Sequence, residues 1–151
     1  MTHIIFEFCC DIIEVIANAI GWSYKEANVY IFIWLQPGLV ILSALLFAIT
    51  CMKYNIKMKT SRSTLLNVTG LSFLILYIIL GIQIILRYNI PADDAFILAQ
   101  QDMIRFGKPI GANYEEVNFI LFVFGMPGII LINGIATYKL NKRYKRTCSP
   151  T

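Results

Sequence analysis

The sequence contains a single histidine, His3, and this scarcity excludes the most common catalytic arrangements. Catalytic zinc sites and Ser-His-Asp triads use histidine side chains, and one histidine cannot supply them in the usual way. The phosphate loop Gly-x-x-x-x-Gly-Lys, the dinucleotide motif Gly-x-Gly-x-x-Gly and the nucleophile motif Gly-x-Ser-x-Gly are also missing. We therefore predict a non-enzymatic protein with no catalytic residue, no metal site and no cofactor.

Cysteine is present, but in no spacing typical of metal binding or redox exchange. The four cysteines are the adjacent Cys9 and Cys10 and the distant Cys51 and Cys148, and no Cys-x-x-Cys occurs. Because an unoxidised cysteine packs as a small apolar residue, we interpret all four as packing residues. The N-terminus also lacks a basic residue ahead of its apolar part, so we predict no cleaved secretory signal.

Charge is scarce throughout the chain. Charged residues make up 15% of the 151 residues and hydrophobic residues 58%, whereas soluble domains have about a quarter and about a half. Three runs without any charge, residues 27–52, 65–86 and 117–138, exceed the roughly 20 residues that cross a bilayer. We predict an all-α integral membrane protein, a single membrane domain over residues 1–151, with three transmembrane helices in these runs.

The sign of the charge separates two sides of the membrane. Two segments carry nine basic residues and no acid: Lys53, Lys57, Lys59, Arg62, Lys139, Lys142, Arg143, Lys145 and Arg146. All nine acidic residues of the chain fall elsewhere. Since short loops rich in Lys and Arg stay in the cytoplasm, we predict an outside N-terminus and a basic cytoplasmic tail over residues 139–151. The basic residues suit anionic lipid headgroups, so the bilayer is the predicted partner and nucleic acid is not.

A stretch from residue 20 to 38 recurs ninety positions later, at residues 110–128. The identical residues are Ile20, Gly21, Tyr24, Glu26, Asn28, Phe32, Pro37 and Gly38, which recur as Ile110, Gly111, Tyr114, Glu116, Asn118, Phe122, Pro127 and Gly128. With the segments around them, we predict two repeats, 3–54 and 92–144. Because an odd number of crossings lies between them, the repeats are predicted to be parallel and related by a pseudo-two-fold axis along the membrane normal.

An amphipathic helix is predicted at the start of each repeat. Residues 3–20 place Glu7, Asp11, Glu14 and Asn18 on one helical stripe, and residues 92–108 place Asp94, Gln101, Arg105 and Lys108 opposite Ala95, Phe96, Ala99, Met103 and Phe106. Each acid would cost roughly 2.5–3.5 kcal/mol at the centre of a spanning helix. We therefore predict two interfacial helices. The alternative is that residues 3–20 form a fourth transmembrane helix, which would place the N-terminus in the cytoplasm.

The junction between each amphipathic helix and the following span has the pattern of a turn and a helix cap. Gly21 and Gly111 suit a left-handed turn. Ser23 and Asn113 are N-cap residues, with Glu26 and Glu116 three positions later, which predicts a capping box in each repeat. The alternative for the two glutamates is a role as ligands or proton carriers.

The remaining repeated residues form the candidate polar site and the predicted kinks. Asn28 and Asn118 lie a turn inside their helices, where an unpaired amide is costly, so we expect helix-to-helix hydrogen bonds or a ligand. The tyrosines suit the headgroup region or the same site. The candidate polar site is Tyr24, Glu26, Asn28, Tyr114, Glu116 and Asn118. Helix kinks are predicted at Pro37, Gly38, Pro127 and Gly128, with freed carbonyls at Ile33 and Val123.

The motif Ser-Tyr-Lys-Glu-Ala-Asn-Val-Tyr at residues 23–30, followed by an apolar run with proline, resembles small uncharacterised multi-pass membrane proteins of Bacteroidota-type bacteria. The resemblance implies the bacterial inner membrane and brings no activity with it. The leading hypothesis is a non-enzymatic interaction protein, either a subunit of a membrane complex or an immunity-type protein, with a homo-oligomeric or other membrane-protein partner. The alternatives are a homo-oligomeric channel or small transporter lined by Asn28 and Asn118, and a membrane enzyme that uses the outer carboxylates.

Overall fold

The structure of the chain, a computed structural model, describes the backbone of residues 2–148 and the side chains of residues 3–146. Within the described range every regular element is helical. In order they are α1 (Thr2–Ile20), α2 (Tyr24–Asn28), a first π-helical segment (Val29–Leu35), α3 (Gln36–Met58), α4 (Ser61–Tyr88), α5 (Ala92–Gly107), a short 3-10 helix (Lys108–Ile110), α6 (Tyr114–Asn118), a second π-helical segment (Phe119–Gly125) and α7 (Met126–Cys148). The predicted all-α class is confirmed there. The end of the predicted tail and the side chain of Cys148 lie outside the described residues.

Three of the described helices are long and apolar enough to cross a membrane. They are Tyr24–Met58, Ser61–Tyr88 and Tyr114–Arg146, with mean hydropathies of 2.1, 2.3 and 2.2. Each contains one of the charge-free runs. The α1 helix, with three acids in its 19 residues, is not among them. This result agrees with the three predicted spans.

The elements of the first and third long helices follow the same order. Each begins with a five-residue α-helix, continues as a seven-residue π-helical segment and ends as a 23-residue α-helix. Every boundary in the third long helix lies ninety residues beyond its counterpart in the first. A π-helix is rare in proteins and is frequent at functional sites. Its presence at both positions therefore directs attention to residues 29–35 and 119–125.

The turn before each of these helices has the predicted construction. Gly21 and Gly111 have φ angles of 75° and 69°, in the left-handed region that glycine enters at little cost. The N–H of Ser23 donates to Glu26 Oε2 at 2.7 Å, and the N–H of Asn113 donates to Glu116 Oε2 at 3.0 Å. Each glutamate N–H donates in return to the cap side chain. Both capping boxes are present, and they fix where the long helices begin.

The chain divides into two compact units, with boundaries directly after Pro37, Ile82 and Pro127. The first unit, Met1–Pro37 with Gln83–Pro127, contains two apolar clusters. One is built on Val29, Ile33, Ala95 and Ala99, and the other on Ile13, Ala17 and Ala27. The first cluster joins α5 to the first π-helical segment, and the second joins α1 to α2. The helices α1 and α5 are therefore each packed against the start of the first long helix.

The second unit, Gly38–Ile82 with Gly128–Thr151, is held by small and polar residues. A Cβ added to Gly70 would lie 3.3 Å from Cys51 Sγ, which shows how closely α4 approaches α3. Asn133 Nδ2 donates to Ser43 Oγ at 3.0 Å. Small residues allow helices to approach closely, and hydrogen bonds from side-chain amides join them. Both are typical of helix packing in membranes, where no hydrophobic driving force brings helices together.

The surfaces of α1 and α5 differ in part from the predicted pattern. On α1 the acids Glu7, Asp11 and Glu14 are exposed, but so are several large apolar residues, among them Ile4, Phe8 and Val15. On α5 the predicted apolar residues Ala95 and Ala99 are buried, whereas Phe106 is 72% exposed. Asp102 is buried beside the two alanines at 8% exposure. The buried face of α5 is therefore narrower than predicted, and it includes a carboxylate.

Candidate functional site

A cavity of about 330 Å³ lies within the first unit. Its walls come from one face of α1, from α2 with the first π-helical segment, and from α6 with the second π-helical segment. Most lining side chains are aliphatic or aromatic. The side chains with a polar or thiol group are Cys9, Cys10, Tyr24, Asn28, Gln36 and Asn118. A mostly apolar wall with a few polar groups is typical of small-molecule sites, and the volume falls at the lower end of their range of roughly 300–1,000 Å³.

Asn28 and Asn118, the two amides of the predicted site, both line this cavity. Asn28 is buried, and its Nδ2 donates to the carbonyl oxygen of Tyr24 at 2.8 Å. Asn118 Nδ2 donates to the hydroxyl of Tyr114 at 3.1 Å. We expected these amides to join separate helices. For both of these hydrogen bonds that expectation is wrong, because the acceptor is four residues earlier on the same helix. A tyrosine at that spacing supplies an acceptor within reach.

Tyr24 and Tyr114 are half-buried and hold the two repeated segments together through their rings. The Tyr24 ring packs edge-on against Phe96 with centroids 6.1 Å apart, and its hydroxyl donates to Cys10 Sγ at 3.2 Å. The Tyr114 ring packs edge-on against Phe6 at 5.9 Å. Edge-to-face pairs at these distances are favourable beyond the area they bury. Only Tyr24 lines the larger cavity.

Glu26 and Glu116 are not among the residues that line the cavity. Both carboxylates accept the N–H of their cap residue, as described above. A carboxylate at this position also faces the positive end of the helix dipole. Of the six predicted site residues, the structure therefore brings Tyr24, Asn28 and Asn118 to the cavity and uses the two glutamates to start the helices.

The π-helical segments explain what happens before each proline. The N–H of Gln36 donates to the carbonyl of Ile31, five residues back, and Pro37 has no N–H. In an α-helix, residue 36 would donate to the carbonyl of Phe32 and residue 37 to the carbonyl of Ile33. Neither carbonyl receives that hydrogen bond here. The carbonyl of Ile33 was predicted to lose its hydrogen bond to the proline. The π-helical geometry adds the carbonyl of Phe32.

In the third long helix the same change releases the carbonyls of Phe122 and Val123. The N–H of Met126 donates to Leu121, five residues back, and Pro127 has none. One of these carbonyls has a new donor: Gln36 Nε2 donates to Phe122 O at 3.2 Å. The Gln36 side chain, on the first residue of α3, thus connects the first long helix to the second π-helical segment. Its counterpart ninety residues later is Met126, whose side chain has no N–H to donate.

Gln36 is the site residue that sequence reasoning missed. The comparison of the repeats considered only residues identical in both copies, and Gln36 pairs with Met126. Its Oε1 atom is buried and has no hydrogen-bond partner among the described residues. A polar side chain within a charge-free apolar run, next to a proline, was the signal in the sequence that could have identified it.

A second site that the sequence did not reveal is the ion pair of Asp102. Arg87 Nε and Nη2 donate to the two carboxylate oxygens at 2.6 and 2.5 Å, and the Tyr88 hydroxyl donates at 2.8 Å. The hydrogen bonds from Arg87 hold the pKa of Asp102 below its usual value. This cluster ties α5 to the end of α4.

A much smaller space, of about 20 Å³, lies beside α5. It shares Asn28, Phe32, Asn118 and Phe122 with the larger cavity. Four residues of α5 also line the smaller space: Phe96, Ala99, Gln100 and Met103. Each lies ninety positions beyond a residue of α1 that lines the larger cavity, namely Phe6, Cys9, Cys10 and Ile13. The two spaces are thus counterparts, one open and the other filled by Val29, Ile33 and their neighbours.

The described side chains contain no group of three or more His, Cys, Asp or Glu residues placed to hold a metal ion. Comparison with known proteins adds no further assignment: no family model, curated protein or solved structure matches the chain. The cavity and its polar groups are therefore the basis for a functional proposal.

Proposed function

We propose that the chain is a non-enzymatic multi-pass membrane protein that binds a small apolar molecule in the cavity beside α1. The observation that carries this proposal is the cavity itself, about 330 Å³ in volume, with an apolar wall and a few polar side chains. The proposal gives the interaction-protein hypothesis a definite ligand site. Asn28 and Asn118, which the channel hypothesis required as pore-lining residues, both belong to this wall.

We further propose that the fold consists of two parallel repeats related by a pseudo-two-fold axis. The aromatic pairs support this relation. Phe6 packs edge-on against Tyr114, and Phe96 packs edge-on against Tyr24. These are the same pair with the two copies exchanged. On the proposed axis itself, the equivalent residues Phe32 and Phe122 meet with ring centroids 4.9 Å apart.

Two contacts between a basic and an acidic side chain support the same relation. His3 Nδ1 lies 3.2 Å from Glu115 Oε2, and Lys25 Nζ lies 3.1 Å from Asp93 Oδ1. Positions 3 and 93 are equivalent, as are 25 and 115, so the same contact occurs twice with the copies exchanged. The basic and acidic partners are also exchanged. A contact kept through such a reversal depends on the geometry of the fold more than on one residue pair.

The proposed location is the bacterial inner membrane, with the N-terminus, α1 and α5 at the outer interface and the basic tail in the cytoplasm. The separation of basic and acidic residues along the chain supports this orientation. The cavity residues come from the helix ends that are remote in sequence from the basic segments. Homo-oligomerisation or a membrane-protein partner stays a prediction.

The ligand site can be tested with an alkyl diazirine photoprobe on the protein in phosphatidylcholine nanodiscs. Saturable labelling should map by mass spectrometry to α1 and the first π-helical segment. Ile16 lines the cavity, so Ile16→Phe should fill part of it and reduce the saturable labelling about tenfold, a change that corresponds to about 1.4 kcal/mol.

Val15→Phe is the matched control, because Val15 is the neighbouring residue on α1 and is 68% exposed, outside the cavity wall. This variant should label like the wild type. Labelling that does not saturate, or that is equal in both variants, would show that the probe reports only lipid-facing surface. The binding proposal would then be wrong.

A further inference from the structure

Two adjacent thiols, Cys9 and Cys10, lie in the wall of the open cavity. We infer that they form a binding site for a trivalent organic arsenical, R–As(OH)₂, whose arsenic atom bonds to both sulfurs and whose organic group R occupies the cavity. The inference rests on the proposed function, since it names a class of ligand for the same cavity. Three properties select this class: the pair of thiols, a wall without charge, and room for an organic group.

The two thiols border open space instead of filling a packed core. Both are free and half-buried. Cys51, by contrast, is fully buried and packs close to Gly70 as a small apolar residue does. The Tyr24 hydroxyl donates a hydrogen bond to Cys10 Sγ at 3.2 Å, so this sulfur is the acceptor and its own hydrogen is not used in that bond. The pair is therefore available for chemistry in the cavity.

The binding reaction needs no oxidant. Each thiol replaces one hydroxyl of the arsenical: a sulfur–arsenic bond forms, an arsenic–oxygen bond breaks, and the thiol hydrogen leaves with the hydroxyl as water. Two such exchanges turn R–As(OH)₂ and two thiols into R–As(S–Cys)₂ and two molecules of water, and the arsenic stays trivalent throughout. Cysteine sulfur is a soft ligand and suits a soft centre of this kind. The product carries neither a charge nor a hydroxyl group.

The wall favours such a neutral product. None of the described residues that line the cavity is Asp, Glu, Lys, Arg or His, so a charged adduct would lose its hydration without a counter-ion. A complex of Cu(I) with two thiolates would be an anion. Structural zinc takes four ligands, and the described residues contain no group of three or more His, Cys, Asp or Glu placed to hold a metal ion. An arsenical that brings its own carbon ligand needs only the two thiols.

The rest of the wall suits the organic group. Phe6, Ile13, Phe32 and Phe122 are among the apolar residues that line the cavity. At the volume that a water molecule occupies in the liquid, about 330 Å³ holds on the order of ten non-hydrogen atoms, which is enough for a phenylarsenic group. Burial of the ring against this wall adds hydrophobic stabilisation to that of the two sulfur–arsenic bonds.

The other proposed repeat lacks both features. The residues equivalent to Cys9 and Cys10 are Ala99 and Gln100, and the space beside α5 is only about 20 Å³. One copy alone therefore combines adjacent thiols with open volume. The difference also supplies test variants, because Cys9→Ala and Cys10→Gln each introduce the residue already present at the equivalent position.

The experiment adds phenylarsine oxide, which water hydrates to the phenyl member of this class, to the full chain in phosphatidylcholine nanodiscs. Mass spectrometry should find one phenylarsenic group per chain with the loss of two hydrogens, and peptide mapping should place it at Cys9 and Cys10. Cys9→Ala and Cys10→Gln should each lose this adduct, whereas the control Cys148→Ser should keep it. A wild-type adduct at any other position, or none, would overturn the inference even if a variant fails to fold.

The role of the cavity is measured by the concentration of 1,2-ethanedithiol that removes the phenylarsenic group. Ile16→Phe keeps both thiols but fills part of the cavity, so that concentration should fall about tenfold. Val15→Phe, outside the wall, should match the wild type. Equal values for all three proteins would overturn the inference. Mercuric chloride, whose neutral two-thiolate complex has no organic group, is the comparison ligand, and protection of both thiols by mercury but not by phenylarsine oxide would also overturn it.

The alkyl diazirine photoprobe separates this inference from the proposed function. Saturable photolabelling without a phenylarsenic adduct would leave the apolar site intact and overturn the inference alone. An adduct that does not respond to Ile16→Phe, together with photolabelling that does not saturate, would show a reactive pair of thiols outside any binding cavity. That result would overturn both.

Discussion

The helices α1 and α5 hold equivalent places in the two proposed repeats, yet one borders a cavity of about 330 Å³ and the other a space of about 20 Å³. The difference lies in their neighbours. On the α5 side, Ile84 and Tyr88 from the end of α4 pack against the cluster of Val29, Ile33, Ala95 and Ala99. On the α1 side, Tyr24, Ile31 and Phe32 of the first long helix pack against the cluster of Ile13, Ala17 and Ala27, and none of the described partners of that cluster comes from α4.

In the proposed repeats, two segments of similar sequence thus form spaces of different character. The linking helix α4 occurs once, and its end packs against α5. It supports α5 through an ion pair, because Asp102 receives hydrogen bonds from both Arg87 and Tyr88. Residue 12, the equivalent of Asp102, is an isoleucine that lines the open cavity. In the proposed repeats, similar segments thus form the walls of both spaces, and the α5 side also receives packing from α4.

The largest expected effect comes from Asp102→Asn, which should weaken the packing of α5 beside the smaller space. The substitution removes the charge that receives two hydrogen bonds from Arg87 and one from Tyr88. Hydrogen bonds to charged groups contribute roughly 1.5–3 kcal/mol. Because the Arg87 side chain is 47% exposed, solvent compensates part of the loss, and we expect the free energy of unfolding to fall by about 2 kcal/mol.

The unfolding of Asp102→Asn can be followed by denaturant titration in mild detergent, with photolabelling of the same samples. Labelling should appear on the α5 wall, at Gln100 and Met103, if the ion pair keeps that space closed. Asp94→Asn, an exposed change on the same helix, is the control and should leave both stability and labelling unchanged. An Asp102→Asn protein with wild-type stability would show that the pair does not support α5.

The pH dependence of stability should follow the same carboxylate. Its pKa is lowered in the folded protein, chiefly by the hydrogen bonds from Arg87, and lies near 3.9 when the chain is unfolded. A lowered pKa stabilises the fold above the unfolded value and loses that contribution as pH falls through the folded value. The wild type should therefore lose stability below about pH 4 more steeply than Asp102→Asn. Parallel pH curves for the two proteins would contradict this reason.

Much of the fold could be predicted from local patterns. Charge-free runs longer than a bilayer thickness gave three spans, because apolar length is what a membrane selects. The capping boxes at Ser23 and Asn113 depend on residues three positions apart, so their geometry is local. The positive φ angles of Gly21 and Gly111 follow from the same short motif. Features of this kind need no knowledge of which helices meet.

The candidate site was predicted only in part, because its polar groups depend on contacts between distant segments. Asn28 and Asn118 were identified since they recur, and both line the cavity. Gln36 was missed because its importance comes from a carbonyl 86 residues away. In the sequence Asp102 is one of nine acids, and its ion pair depends on Arg87, fifteen residues earlier, lying beside it. A repeat search finds what the copies share, whereas the chemistry here lies where they differ.

The smallest expected effect tests the exchange of charge between the copies. Lys25→Glu places two acids together with Asp93, which should lower the free energy of unfolding by up to about 1 kcal/mol, because both side chains are exposed. Adding Asp93→Lys restores an ion pair with the polarity already found between His3 and Glu115. The double variant should therefore recover wild-type stability, measured by denaturant titration at low salt, and the recovery should shrink as salt screens the pair. A double variant no more stable than Lys25→Glu would show that the contact between equivalent positions does not tolerate reversal, against the pseudo-two-fold relation.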